Sequence, residues 1–169
     1  LAVGFFALAV FLGAALFSYR PDDPARGIAL LTWIFPPDAM EHPVRGQVSN
    51  ACGSWGATLA SLLFMQLGLG AYYVLSSLML LGVALLTRAR IDLPLLRWVG
   101  WLLSMVGITA LAAMILPNWS PGPMMGAGGT IGALGASLLQ HHFAFTGSLI
   151  LALGITISGL LLCSDYLVM

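Results

Sequence analysis

The sequence predicts an all-α integral membrane protein with four transmembrane helices and two additional short interfacial or re-entrant helices, arranged as two similar halves. Three observations predict this fold. First, 60% of the 169 residues are hydrophobic and only 7% are charged, whereas roughly 25% of residues are charged in soluble domains. Second, several uncharged apolar runs are long enough to cross a bilayer. Third, a short glycine-led sequence occurs twice, each time between two such runs.

The first predicted span is the apolar run at 1–17, whose length is near the lower limit for crossing a hydrocarbon core of about 30 Å. A polar segment at 18–49 follows, with five of the nine prolines and seven of the twelve charged residues. We expect an aqueous, extracytoplasmic loop there. Because the chain opens inside an apolar run rather than at a Met, we also expect it to be an excerpt of a longer protein.

The stretch 46–87 is 42 residues without an Asp, Glu, Lys or Arg, which is too long for one span and barely enough for two. A Gly-Leu-Gly step at 68–70 divides it. We predict a short helix at 53–65, too short to cross, and a second span at 71–87. A third span at 98–116, a second short helix at 128–140 and a fourth span at 145–163 follow. Whether the short helices re-enter the membrane or lie flat on its surface stays open.

The two short helices carry an internal repeat. GSWGATLASLL from Gly53 and GTIGALGASLL from Gly129 agree at seven of eleven positions. Duplication explains the agreement; chance recurrence of residues common in membranes is the alternative. Small residues at helical spacing allow close helix packing, either within one chain or between subunits. The candidate packing residues are Gly53, Gly56, Ala57, Ala60, Gly128, Gly129, Gly132 and Ala136.

The arginines predict the orientation of the chain, because positive residues near helix ends are retained on the cytoplasmic side. With four spans, the turn containing Arg88, Arg90 and Arg97 is cytoplasmic and the segment 18–49, which is negatively charged overall, is outside. Both termini are then cytoplasmic. Charge alone does not force this orientation, since every Arg would also lie inside if the short helices crossed; their length decides against that arrangement.

Several functions are disfavoured within this segment. The chain has no Lys, so it has no GxxxxGK[ST] phosphate loop and little basic surface for DNA. Cys52 and Cys163 do not have metal-ligand spacing, and we predict no catalytic residue, metal or cofactor. His141 and His142 are interpreted as a helix cap rather than a proton-handling pair. The predicted spans lack the ionisable residue that ion-coupled transport normally needs, but a passive channel stays open.

Three motifs in order resemble one family over essentially the whole chain. A serine-aromatic-x-proline-x-aspartate-proline motif follows the first span, an asparagine-x-x-glycine-x-x-glycine-alanine motif opens the next element, and a double glycine comes later. The matching residues are Ser18, Tyr19, Pro21, Asp23 and Pro24, then Asn50, Gly53, Gly56 and Ala57, then Gly128 and Gly129. The chain resembles the N-terminal four-helix membrane domain of the FtsK/SpoIIIE DNA translocases. Thr58 and Ser76 depart from residues that are common in that family.

The resemblance implies a membrane anchor and scaffold in a bacterial division protein, placed in the cytoplasmic membrane at the septum. It implies an ATP-dependent DNA translocase whose hexameric motor lies beyond residue 169, with ATP and Mg bound there and DNA contacted only through that motor. The expected partners of this segment are the lipid bilayer, further copies of the chain and other division proteins. The alternative hypothesis is a passive channel or small-solute permease built from the two repeats.

Overall fold

The computed structural model describes residues 2–23, 47–87, 94–119 and 126–164, and in these ranges the regular structure is helical, with no strand. We number the six helices of the described ranges in chain order. They are α1 (Ala2–Phe17), α2 (Gly53–Leu67), α3 (Gly70–Leu86), α4 (Pro94–Ile115), α5 (Gly129–His142) and α6 (Phe145–Cys163). The prediction of an all-α fold is confirmed for this part of the chain.

Two helices are long and apolar enough to cross a membrane: α4, over Leu95–Ile115, and α6. A third candidate would combine α2 with α3, but the chain turns by 114° between them, so they do not form one straight helix. The first helix is apolar but shorter. By length and composition, the described residues therefore contain two or three candidate spans, as suits a multi-pass membrane protein.

The helix ends follow local chemistry. The helices α2 and α5 begin at Gly53 and Gly129, whose φ angles are +67° and +63°, a backbone conformation that costs glycine little. The residue that caps the end of α2 is Gly68, again with positive φ, whose N–H donates to the Phe64 carbonyl. The helix α4 begins at Pro94, before the predicted start of the third span at 98, because proline fits the first turn of a helix.

The first three helices pack around apolar and aromatic side chains. The helix α1 packs against α3, and α2 lies against both. The core of this half consists of Leu12, Ala15, Leu16, Ala60, Phe64 and Ala71. An aromatic group closes one end, where the ring of Phe64 lies 4.9 Å from that of Tyr19 and 5.6 Å from that of Tyr72. Ordinary side-chain packing therefore holds α1 in this half.

The last three helices pack through small residues. The helix α4 contacts α6 along its length and also contacts α5. On α6 the buried residues are Ser148, Ala152, Thr156 and Gly159. A side-chain carbon built on Gly159 would lie 2.4 Å from the backbone nitrogen of Ser104 on α4. The two backbones are therefore closer than any larger residue at this position would allow.

Candidate functional site

Two motifs that are separate in the sequence meet between α1 and α2. We call this cluster, formed by Ser18, Tyr19, Asp23, Ser49 and Asn50, the polar junction. Ser18 and Tyr19 directly follow α1, and Asn50 lies just before α2. Asp23 and Asn50 are only 7% and 6% exposed. The structure thus brings residues of the first two family-like motifs into one polar cluster, in which Asp23 and Asn50 are buried.

Asn50 ties the start of α2 to the end of α1. Its Nδ2 donates to the carbonyl of Ala15 at 2.9 Å, and its Oδ1 accepts from the N–H of Cys52 at 2.9 Å. Ser18 makes a similar link, since its hydroxyl donates to the Ala14 carbonyl at 2.6 Å and accepts from the N–H of Ala51 at 3.0 Å. Because the last carbonyls of a helix lack partners within it, these contacts both cap α1 and fix the position of α2.

Asp23 and Tyr19 complete the polar junction. One carboxylate oxygen of Asp23, Oδ1, accepts from the backbone N–H and the hydroxyl of Ser49 at 2.8 and 2.7 Å. Its Oδ2 is buried and has no hydrogen-bond partner among the described residues. Burial raises the pKa of the Tyr19 phenol; a hydrogen bond with Ser61 opposes this shift, and the charge of Asp23 adds to it. Tyr19 is therefore neutral at physiological pH and acts as a packing and hydrogen-bonding residue.

A second contact joins the two groups of three helices. We call it the internal seam: the end of α2, Gln66–Leu69, against the start of α5, 127–130. The N–H of Leu69 donates to the Ala127 carbonyl at 2.7 Å, and the hydroxyl of Thr130 donates to Oε1 of Gln66 at 2.7 Å. A side-chain carbon on Gly68 would lie 2.1 Å from the same Ala127 carbonyl oxygen. Glycine is therefore required for this approach.

The small residues predicted on the short helices occupy equivalent places. The buried small residues of α2 are Gly56, Ala57 and Ala60. The buried small residues at the start and on the inner face of α5 are Gly128, Gly129, Gly132 and Ala136. A side-chain carbon on Gly56 would meet Ala15 of α1 at 3.4 Å, and one on Gly132 would meet the Thr109 carbonyl of α4 at 2.3 Å. Each short helix thus packs on the helix that precedes it. Gly53 differs, since it is exposed.

Other predicted residues lie apart from these contacts. Pro21 is exposed beside the polar junction, and Arg97 lies near the start of α4. His141 and His142 lie exposed in the last turn of α5. Pro24, Arg88 and Arg90 fall outside the described residues, as does most of the predicted loop 18–49, so the predictions made for them stay predictions.

Sequence reasoning missed the contact between α4 and α6. A side-chain carbon on Gly107 would lie 2.3 Å from Oγ1 of Thr156, and one on Gly100 would lie 2.8 Å from the Gly159 carbonyl oxygen. The available signal was the run of small residues at helical spacing on both helices: Gly100, Ser104 and Gly107 on α4, and Ser148, Ala152, Thr156 and Gly159 on α6. The stripe of small residues on α6, from 148 to 159, is longer than the stripe on α2, from 53 to 60.

The described clusters contain hydrogen bonds and close packing contacts. Among the described residues, no group of three or more His, Cys, Asp or Glu side chains could hold a metal ion. The buried hydroxyls of Ser104, Thr109 and Thr156 donate to carbonyls of their own helices. Each of these hydroxyls thus satisfies a backbone carbonyl of its own helix, and the Ser104 hydroxyl also bonds to the Tyr73 hydroxyl of α3.

A comparison with protein families decides where the chain belongs. The family described as the 4TM region of the DNA translocases FtsK/SpoIIIE matches residues 1–168, which includes both the polar junction and the internal seam. The chain belongs to this family. The apolar helices and the family assignment together make it a multi-pass membrane region, and the resemblance inferred from the motifs is confirmed.

Two curated relatives of this FtsK/SpoIIIE region are both named DNA translocase FtsK. They come from Pseudomonas syringae pv. tomato (strain ATCC BAA-871 / DC3000) and Pseudomonas syringae pv. syringae (strain B728a). Each is 30% identical over 171 residues, covering 96% of this chain. The chain spans only 20% of the length of these relatives. No solved structure matches it significantly.

Proposed function

We propose that this chain is the membrane anchor and scaffold of a septal DNA translocase, acting in cell division and chromosome segregation. The observation that carries the proposal is the match of the 4TM region of FtsK/SpoIIIE to residues 1–168. The described contacts support it, because capping and close helix packing suit a domain whose work is to hold a position. A motor outside this chain would bind ATP and Mg and would make the contacts with DNA.

Four spans are part of this proposal. The helices α1, α3, α4 and α6 would cross the bilayer, while α2 and α5 would lie near its outer surface. The turn of 114° between α2 and α3 supports this arrangement, because it carries α2 across the direction of the following span. The matching starts of the two short helices, at Gly53 and Gly129, support a division into two similar halves.

The orientation we propose places both termini in the cytoplasm. Its support is the positive charge of Arg88, Arg90 and Arg97 between the second and third spans, and the negative charge of the segment 18–49. Single cysteines in a background without Cys52 and Cys163 test it by labelling intact cells with an impermeant maleimide. We expect label on Gln47→Cys and none on Thr87→Cys until the membrane is opened. The reverse pattern would overturn the orientation.

The anchor function is tested by exchanging the segment. In the full-length protein, residues 1–168 are replaced by an unrelated four-span segment with the same orientation, and both proteins carry a fluorescent label. We expect the exchanged protein to stay in the membrane and lose its enrichment at the septum. Equal enrichment of both proteins would contradict a positioning role. A coding region without a GxxxxGK[ST] loop after residue 169 would contradict the motor itself.

The anchor would also assemble with further copies of itself and with other division proteins. The ring-shaped hexamer implied by the family resemblance is the expected assembly of the motor. Crosslinking of the full-length protein in native membranes tests self-association. A species of one chain only, under conditions that crosslink a known membrane oligomer in the same cells, would contradict it.

A further inference from the structure

The internal seam is a head-to-tail contact. It joins the end of the first short helix, α2, to the start of the second, α5, through the Leu69 to Ala127 and Thr130 to Gln66 hydrogen bonds. The two surfaces differ, so the contact has no two-fold symmetry of its own. A contact of this kind leaves one unmatched surface at each side: the start of α2 and the end of α5. Repetition of such a contact builds rings or open chains.

The two unmatched surfaces carry the chemistry of the seam. The repeat aligns Gly53 with Gly129, and both start their helices with positive φ. In the same alignment, Ala51 and Ser54 at the start of α2 correspond to Ala127 and Thr130 of the internal seam. At the other side, His142 corresponds to Gln66 of the internal seam. Phe143 and Phe145 likewise correspond to Leu67 and Leu69. The unmatched surfaces therefore repeat the residue types of the internal seam: a small residue, a hydroxyl, a hydrogen-bonding side chain and two large apolar residues.

Burial separates the two sets of residues. Leu67 and Ala127 are 6% and 0% exposed inside the seam. Their counterparts are open, since Phe143 is 48% exposed and Ala51 is exposed. Gly53 shows the same difference, because a side-chain carbon there would meet nothing within 4 Å, whereas one on Gly129 would lie 2.6 Å from the Gln66 carbonyl. Among the described residues, surfaces that are buried once within the chain are thus presented a second time without a covering segment.

One position departs from the repeat. Gly68, whose φ is +54°, aligns with Ala144, whose φ is −59°. The close backbone approach that Gly68 makes to Ala127 is therefore not available at the end of α5. The outer contact would rely instead on the side chains of His142 and Phe143, with an imidazole nitrogen of His142 placed to accept from the Ser54 hydroxyl.

We infer that a second copy of this chain binds here, with the start of its α2 on the end of α5 of the first copy. This inference rests on the self-associating anchor proposed above and names its contact surface. Because the two repeats have the same orientation in the proposed topology, repeating the contact turns successive chains about an axis along the membrane normal. The product is a ring or arc of chains rather than a two-fold dimer.

The test uses cysteine crosslinking of the full-length protein in native membranes, with Cys52 and Cys163 replaced by serine. Two copies with different tags are produced together, one carrying Ser54→Cys and the other His142→Cys. We expect a two-chain adduct that contains both tags, and no adduct when either variant is produced alone. Gln66→Cys with Thr130→Cys in one chain is the positive control and gives an intrachain product. Leu80→Cys, exposed on α3, paired with His142→Cys measures random collision.

Two crosslinking outcomes overturn the inference. Adducts of a single variant with itself would show a two-fold contact instead. An adduct no stronger than that of the Leu80→Cys pair, while the positive control crosslinks, would show that these surfaces do not meet. Septal enrichment is scored in the same cells, so a missing crosslink with normal enrichment refutes this surface alone. A crosslink without enrichment refutes the septal anchor alone.

Discussion

Replacing Gly159 by alanine tests the close packing of α4 and α6. The added carbon would lie 2.4 Å from the nitrogen and 2.9 Å from the Cα of Ser104, and 2.7 Å from the carbonyl oxygen of Gly100. All three are backbone atoms, so no side-chain rotation can make room. Gly154 on the same helix is the matched control, because a carbon added there meets nothing within 4 Å.

The magnitude follows from the distances. Ordinary van der Waals contact begins at 3.4 Å, so the Gly159→Ala variant must move the two helices apart by about 1 Å. Overpacking of this kind costs about 1–3 kcal/mol. Alanine also favours a helix over glycine by about 1 kcal/mol, and this gain is common to both variants. We therefore expect Gly159→Ala to be less stable than Gly154→Ala by about 1–3 kcal/mol.

The assay is equilibrium unfolding in mixed micelles, followed by circular dichroism and by tryptophan fluorescence. Comparing the two variants with each other removes the shared effect on helix propensity. If their free energies of unfolding agree, the backbones of α4 and α6 are not as close as the structure places them. A Gly159→Ala variant that is the more stable of the two would refute the packing argument entirely.

Three further variants test the other contacts in the same assay. Asn50→Ala removes a bond to α1 and a bond to the start of α2, and we expect a loss of about 1–3 kcal/mol; no loss would contradict the polar junction. Gly68→Ala puts a carbon against the Ala127 carbonyl and a strained φ on alanine, so we expect more than about 1 kcal/mol of destabilisation. Tyr73→Phe removes only the hydrogen bond with Ser104, for which we expect about 0.6 kcal/mol, measured as a small shift of the midpoint.

Composition and apolar run length were sufficient to predict the all-α membrane fold, because a bilayer leaves few alternatives for the backbone. The Gly-Leu-Gly step located the turn between α2 and α3, since glycine is the residue that accepts the positive φ found at Gly68. The repeat drew attention to Gly53 and Gly129, which have matching backbone conformations. These features are local, so a local pattern could reveal them.

The contacts between distant residues could not be predicted in this way. Ser18 and Asn50 were recognised as members of separate motifs, but nothing in their spacing shows that both bond to the last turns of α1. The same holds for Gln66 and Thr130, whose hydrogen bond depends on how the two groups of helices meet. The stripe on α4 and α6 is visible in the sequence, yet the spacing does not say which helix it contacts.

The two groups of helices hold their long helices by different means, and this explains where the polar motifs lie. At Gly82 the backbones of α3 and α1 are farther apart, since a carbon added there would meet α1 no closer than 3.7 Å. Lipid supplies little hydrophobic force between helices, so this pair lacks the close backbone contact that holds α4 to α6. The polar junction compensates by bonding the end of α1 to the start of α2, and the rings of Tyr19, Phe64 and Tyr72 close the same end. Ser18 and Asn50 therefore stabilise the half of the molecule whose helix packing is looser.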